Sequence, residues 1–244
     1  NQVKNCKIIK FKDLIIKADS YEVFLNGKVE VQDEASQLAG LLLDPKRGEM
    51  IVDFCAGSGG KTLLFGMLMK NTGRIYAFDV NERRLGNLTP RLARSGLSNV
   101  YPQLIAGEND AKVKRLAGKV DKVFVDAPCL GLGTLRRNPD LKFRQSESGL
   151  TEINVKQAEI LAAASKLVKP GGMLVYATCS ILRAENQNII EGFLTKHSEF
   201  KIIEVNQVLK NIDLVLKDQC YLELDPVTHD TDGFFACIMQ KITN

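Results

Sequence analysis

From Met50 onward, short runs of contiguous apolar residues alternate with stretches of helical hydrophobic periodicity, the pattern of strands joined by helical crossovers. Strands are predicted over Met50 to Phe54, Arg74 to Asp79, Val100 to Leu104, Lys122 to Asp126 and Met173 to Thr178. Helices are expected over Lys61 to Met69, Glu82 to Ser95, Ala111 to Ala117, Ile153 to Val168 and Ala184 to Lys196, with Lys169-Pro170-Gly171-Gly172 as a stop and turn. The tail adds extended segments at Phe200 to Glu204, Gln219 to Leu222 and Phe234 to Met239, the last two antiparallel across the turn Asp230-Thr231-Asp232-Gly233. The expected fold class is α/β: a Rossmann-like, mostly parallel, doubly wound sheet with an antiparallel C-terminal strand. Ligands of such sheets bind beyond the carboxyl ends of the strands, which is where chemistry is sought.

Residues 1–32 read differently, as a lysine-rich segment with extended stretches at Tyr21 to Leu25 and Val29 to Val31 around an Asn26-Gly27 turn. Too short to fold alone, this segment is expected to pack on the sheet or to complete an upstream domain, leaving residues 33–244 as the main domain. That domain opens with a helix from Asp33, in which Leu38, Leu41 and Leu42 form an apolar face.

Charge and cysteine content narrow the partners. A net charge of +4 favours a polyanion without demanding one. No apolar run approaches the ~18 residues of a membrane span, and the N-terminus has no signal-peptide pattern, so a cytoplasmic monomer is expected, with no membrane partner. The six cysteines form no C-x-x-C pair, and two histidines add little, so no metal site is expected. Free thiols are ordinarily small buried hydrophobes, a reading to be tested at each position.

The first strand runs into Asp53-Phe54-Cys55-Ala56-Gly57-Ser58-Gly59-Gly60-Lys61-Thr62, a glycine-rich turn whose backbone lies open to a ligand at a helix N-terminus. A phosphate-binding P-loop fails, because its first glycine would fall at Cys55. The dinucleotide fingerprint is imperfect, with Thr62 in the third glycine position. Asp79 ends the second strand and is placed to accept hydrogen bonds from two ribose hydroxyls, which both NAD and S-adenosylmethionine possess. Loop and acid together indicate a nucleoside cofactor.

Two more thiols follow strand ends: Cys129 in Asp126-Ala127-Pro128-Cys129-Leu130-Gly131 and Cys179 in Ala177-Thr178-Cys179-Ser180. If those strands are adjacent, both thiols reach the rim where the cofactor ends. A thiol pair beside a labile methyl fits methylation at carbon 5 of cytosine, where thiolate addition at carbon 6 makes carbon 5 nucleophilic. The remaining carbon 5 proton must then be removed before the thiolate is expelled, and a second cysteine can serve as that base. An NAD-dependent oxidoreductase would leave both thiols without a task, and a catalytically silent RNA-binding module is the other alternative.

These segments, with Val31-Gln32-Asp33-Glu34-Ala35-Ser36, Arg137-x-Pro139-Asp140, Lys169-Pro170-Gly171-Gly172, Glu185-Asn186 and Asp232-Gly233-Phe234-Phe235, resemble the Sun (RsmB-like, Nop/Sun) family of S-adenosylmethionine-dependent RNA cytosine-C5 methyltransferases, from about Val31 to the end of the chain. The resemblance implies a class I methyltransferase fold, S-adenosylmethionine as cofactor, and rRNA or tRNA as substrate. It also implies Cys179 as nucleophile and Cys129 as the residue assisting release. Cofactor contacts carried over are Cys55, Ala56, Gly57, Ser58, Gly59, Gly60 and Lys61, with Asp79 on the ribose and Asp126 near the methionine amino group or the base. Asp110 best matches the adenine-side acid, with Glu108 or Asn109 filling that place after a small register shift. Gly57-Ser58 replaces the Ala-Pro usual in that family's loop.

A target cytosine must be unpaired or flipped out, so basic residues are expected around the rim. Arg136, Arg137, Lys142 and Arg144, with Phe143, are suited to phosphate contact and base stacking. Arg83, Arg84, Arg91 and Arg94 read as a solvated helix face. Glu185 and Asn186 read as helix-capping or surface residues, outside the site.

Overall fold

The computed structural model describes residues 18–210, 216 and 218–243, so the lysine-rich stretch before residue 18, including Cys6, lies outside the described residues. In chain order the elements are α1 (Ala18–Leu25), α2 (Glu34–Leu41), β1 (Met50–Phe54), α3 (Gly60–Leu68), β2 (Arg74–Asp79), α4 (Glu82–Gly86), α5 (Leu88–Ser95), β3 (Val100–Leu104), α6 (Ala111–Lys114) and β4 (Val120–Asp126). There follow α7 (Glu147–Ser165), β5 (Val168–Thr178), α8 (Gln187–Lys196), β6 (Phe200–Ile203), α9 (Val205–Val208), β7 (Leu222–Leu224), α10 (Pro226–His229) and β8 (Phe234–Lys241).

The strands form one sheet in the order β3-β2-β1-β4-β5-β8-β6, with β7 also paired to β8. Strands β1 to β5 are parallel, whereas β8 runs antiparallel to β5, β6 and β7. This is the expected α/β architecture. Central strands are buried on both faces, which explains their continuous apolar runs in place of alternation. Two apolar clusters cover the two faces. One contains Leu42, Phe65, Leu88 and Phe124, and the other Phe78, Val123, Leu161 and Tyr176. Strand order reverses between β1 and β4, so their carboxyl ends open the crevice in which a ligand lies.

Several local expectations change. Tyr21 to Leu25 belongs to α1 instead of a strand. Gly27, at φ 67, ends that helix, its N–H donating to Phe24 O at 3.0 Å and the Lys28 N–H to Val23 O at 3.0 Å. Asn26-Gly27 is thus a helix C-terminal stop, and Val29 to Val31 has no regular structure. The helix expected over Glu82 to Ser95 breaks after Gly86. Pro90 cannot donate to the Gly86 carbonyl, and its ring would crowd it. The long helix starts at Glu147 under a Ser146 cap and stops at Ser165, earlier than Val168. Lys169 to Gly172 is then a bulge inside β5: Val168 pairs with Val120 and Met173 with Lys122, so the intervening residues loop out around Gly171 at φ 76.

Candidate active site

The turn after β1 is built by backbone conformation. Cys55, Gly57 and Gly59 all take positive φ, at 67, 57 and 81 degrees. A Cβ on Gly59 would lie 2.1 Å from Leu88 Cδ1, a buried side chain, whereas one on Gly57 would meet nothing within 4 Å. Glycine is therefore required at 59 by both φ and space, while Gly57 leaves its side of the loop open. The Gly57 N–H donates to Asp79 Oδ2 at 2.7 Å, and the Asn81 N–H to Asp79 Oδ1 at 2.7 Å. Each carboxylate oxygen keeps a further lone pair for a ligand hydroxyl. Cys55, Ala56, Gly57, Ser58, Gly60, Lys61 and Asp79 line a cleft of about 640 Å³, with Gly59 turned behind them against Leu88.

Lys61 lies in the first turn of α3, at the positive end of the helix dipole, and is compensated on the other side. Its Nζ is 2.8 Å from Asp126 Oδ2 and lies over the rings of Phe124 and Phe234, at 5.8 and 5.1 Å from their centroids. Lys61 thereby fixes the acid at the end of β4. Beneath it, the buried Asp53 accepts a hydrogen bond from the Thr62 hydroxyl, and its Oδ1 has no partner among the described residues. Burial pushes the Asp53 carboxyl up to about 7, against the opposing hydrogen bond from Thr62. Asp53 was not a predicted site residue; its signal was its place in β1, where an acid interrupts an apolar run.

Asp110 does not reach the cleft. Its carboxylate is occupied by the Ala106 and Lys112 N–H groups at 2.8 and 2.7 Å, as the N-cap of α6. Glu108 lines the cleft instead, paired with Lys156 at 2.7 Å, which holds its carboxyl below the usual range. The two acids are separated by Asn109, and of the pair it is Glu108 that lines the cleft.

Because β4 and β5 are adjacent, with Asp126 opposite Ala177, the two loops beyond them meet. Cys129 Sγ and Cys179 Sγ are 3.4 Å apart, and both residues line the cleft. Sharing a proton with Cys179, together with burial, holds Cys129 above the ordinary thiol range, while Cys179 is lowered chiefly by the Cys129 hydrogen bond and also by the Lys61 charge. The third cleft thiol, Cys55, is pushed up by burial and by the carboxylates of Asp79, Asp126 and Asp53, which suits a packing contact and not a nucleophile. Of the capping and surface roles expected for Glu185 and Asn186, Asn186 does occupy the N-cap position of α8, without a side-chain capping bond, but both residues are buried, and they hydrogen-bond the segments flanking both thiols.

The cations after Cys129 are spent on the protein itself. Arg137 bridges Asp33 and Asp232, Arg136 pairs with Asp230 at 3.3 Å, and Arg144 with Asp140 at 2.5 Å. Lys142 lies over the ring of Phe143, which is 81% exposed. The solvated-face reading of α4 and α5 also fails in part: Arg91 and Arg94 grip Glu30 at 2.9 and 2.7 Å, and Arg91 donates to Ser58 O at 2.6 Å. That clamp pins the segment before α2 to the glycine loop, so Val31, Gln32 and Ser36 form one wall of the cleft, with Arg84 on its rim.

The family model for 16S rRNA methyltransferase RsmB/F matches residues 40–240. The chain belongs to this family. Among RsmB/F-type relatives, the probable ribosomal RNA small subunit methyltransferase B of Bacillus subtilis (strain 168) is 34% identical over 226 residues, covering 89% of this chain and 49% of that protein. The chain thus spans about half the length of the curated relatives it matches. Two crystal structures share its fold: NSun6 from Pyrococcus horikoshii with SFG, at TM-score 0.79 and 27% identity over 97% of this chain and 57% of that one; and a methyltransferase homologue from Pyrococcus horikoshii, at TM-score 0.78 and 30% identity over 94% and 73%. The RsmB/F sheet is accordingly the class I methyltransferase fold that the motifs implied.

Proposed function

We propose that this chain transfers a methyl group from S-adenosylmethionine to carbon 5 of a cytosine in RNA, rRNA or tRNA, through a covalent Cys179 adduct. The observation that carries the reading is the 3.4 Å contact of two thiols in the cleft that the glycine loop opens. The name of the Bacillus subtilis relative and the presence of SFG, an analogue of S-adenosylmethionine, in the Pyrococcus horikoshii structure support rRNA and this cofactor. Residues 33–244 are taken as the methyltransferase domain, and residues 1–32 as the edge of an RNA-binding segment. The protein is proposed to act as a cytoplasmic monomer.

The cleft suits the cofactor: Gly57 leaves open space, Asp79 offers free lone pairs for two ribose hydroxyls, and Glu108, which lines the cleft where Asp110 does not, would serve the adenine side. The backbone from Cys55 to Lys61 and the carboxylate of Asp126 would hold the remainder. When bound, S-adenosylmethionine supplies the electrophilic methyl. The Cys179 thiolate adds to carbon 6 of the cytosine, and the electron pair gained at carbon 5 forms the new carbon–methyl bond as the sulfur–methyl bond breaks and a neutral thioether leaves. Cys129, its own proton given up to solvent, then takes the carbon 5 proton as a thiolate, the freed carbon 5 electron pair restores the ring double bond, the carbon–sulfur bond breaks, and its electron pair returns to Cys179 as thiolate. Lys61 fixes Asp126 throughout, beside the base and the methionine end.

The test is a denaturing gel of wild type, Cys129→Ala and Cys179→Ala after incubation with S-adenosylmethionine and total RNA. A nuclease-sensitive retarded band is expected for Cys129→Ala, and none for Cys179→Ala. Absence of both a trapped band and labelled methyl in RNA would overturn the reading and favour a binding module without chemistry.

A further inference from the structure

Beneath the two thiols lies a buried hydrogen-bonded network that the methyl-transfer steps do not use. At its centre, Glu185 is 0% exposed. Its Oε1 accepts from the Leu130 N–H at 2.9 Å and from Gln157 Nε2 at 3.0 Å, and its Oε2 accepts from the Ser180 hydroxyl. Gln157 Nε2 also donates to Pro128 O at 2.9 Å. Next to Glu185, Asn186 accepts from the Thr178 hydroxyl at 2.6 Å and donates to Ser180 O at 3.0 Å. Leu130 after Cys129, and Thr178 and Ser180 on both sides of Cys179, are therefore fastened to one dipeptide at the start of α8, with Pro128 joined to it through Gln157.

Among the described residues, Glu185 has no lysine or arginine nitrogen within ion-pair reach. A buried carboxylate held by neutral donors alone is costly, and an apolar side chain of similar shape would serve packing better. Its place at the junction of two thiol-bearing loops points to a geometric task. We propose that Glu185 is the positioning residue of this site, its carboxylate tying Leu130 to Ser180 and so setting the separation of Cys129 and Cys179. The inference rests on the two-thiol reading above. It adds how that pair is held: Cys129 must meet the carbon 5 proton of a base bonded to Cys179, and a misplacement of about 1 Å can cost about a hundredfold. The negative charge of Glu185 beside Cys129, added to the Cys179 hydrogen bond and burial, also makes the Cys129 thiolate a stronger base toward that proton.

Two readouts test this, one independent of RNA. Diamide takes up the two thiol hydrogens and leaves a disulfide, so its rate with the purified full chain reports the sulfur separation, with Cys129→Ala as the blank. Glu185→Ala is expected to close the Cys129–Cys179 disulfide about ten- to a hundredfold more slowly, to release methylated RNA more slowly by a similar factor, and to leave KM for RNA near wild type. Glu185→Gln keeps the acceptor oxygen and the shape. It is expected to restore the diamide rate while moving the rise of release with pH to lower pH, because the charge that holds the Cys129 proton is gone. A spacer role without electrostatic influence would leave that profile unmoved, and wild-type disulfide and release rates in Glu185→Ala would overturn the proposal. Should Glu185→Ala fail to fold, Ser180→Ala removes one donor and is expected to slow both steps about fivefold; unchanged rates there overturn it equally. If Cys129→Ala traps no RNA, the two-thiol chemistry fails, whereas the diamide rates still decide whether Glu185 sets the spacing.

Discussion

The glycine loop and the thiol rim face each other across one cleft and are held in different ways. Loop geometry comes from backbone torsions at Cys55, Gly57 and Gly59 and from main-chain N–H groups, with Asp79 as the principal side-chain anchor. The rim is held by side chains drawn from β5, α7 and the segment before α8, meeting at the buried carboxylate of Glu185. A site made of backbone is rigid and carries its signature in glycines at fixed spacing. One made of buried polar side chains can instead be adjusted through charge and proton sharing, which is what two thiols with separate tasks require.

Substitutions separate the two halves, beginning with the largest effect. Gly59→Ala combines an unfavourable φ with a clash against Leu88, and is expected to cost about 2–4 kcal/mol in urea unfolding. It should abolish cofactor binding by calorimetry while leaving the diamide reactivity of the rim intact in the folded fraction. If the disulfide rate falls too, the halves are not independent.

Asp53→Asn acts beneath the loop. Its carboxyl is raised to about 7 in the folded chain from an ordinary 3.8, so its stabilising contribution is whole below pH 3.8 and is lost as pH rises through about 7. Relative to the asparagine variant, wild-type stability should fall by about 1–3 kcal/mol across that window and then level off, followed by denaturant melts at several pH values. Parallel curves for the two proteins would remove Asp53 from the account.

Lys61→Met tests the bridge between the halves, since Lys61 grows from the glycine-loop helix yet holds Asp126 on the rim. A loss of about 1 kcal/mol is expected, reduced by the partial exposure of Asp126. Without the cation, the Cys179 thiol should titrate at higher pH, read from the pH dependence of iodoacetamide alkylation. The smallest effect is expected for Arg144→Ala: its exposed pair with Asp140 should contribute less than about 0.5 kcal/mol, and RNA affinity should change little because the guanidinium is already partnered.

The central strands and the loop were legible because their causes are local. Strands β1, β2 and β3 occupy the predicted residues, and the turn from Cys55 to Lys61 lies where its glycines indicated. The first helix was not legible, because Asn26-Gly27 reads equally as a hairpin turn or a helix stop, and the choice is made by the close packing of Gly27 against Arg94 O. Arg91 and Arg94 looked like a solvated face until Glu30, some sixty residues earlier, came within reach. The pairing of Arg137 was hidden for the same reason, since Asp33 and Asp232 are remote in sequence and adjacent in space. Asp110 against Glu108 was a question of one turn, decided by which carboxylate the backbone of α6 consumed.

By itself the sequence determined the alternation of strands and helices, the glycine turn with its acid, and the presence of two thiols at strand ends, because hydrophobic period and backbone torsion are written residue by residue. Tertiary structure alone decided which charges are cancelled, which acid faces the cleft, and that the two sulfurs touch over a buried glutamate. Those outcomes depend on distances between side chains far apart in the chain, and such distances exist only once the sheet has brought β4 and β5 together.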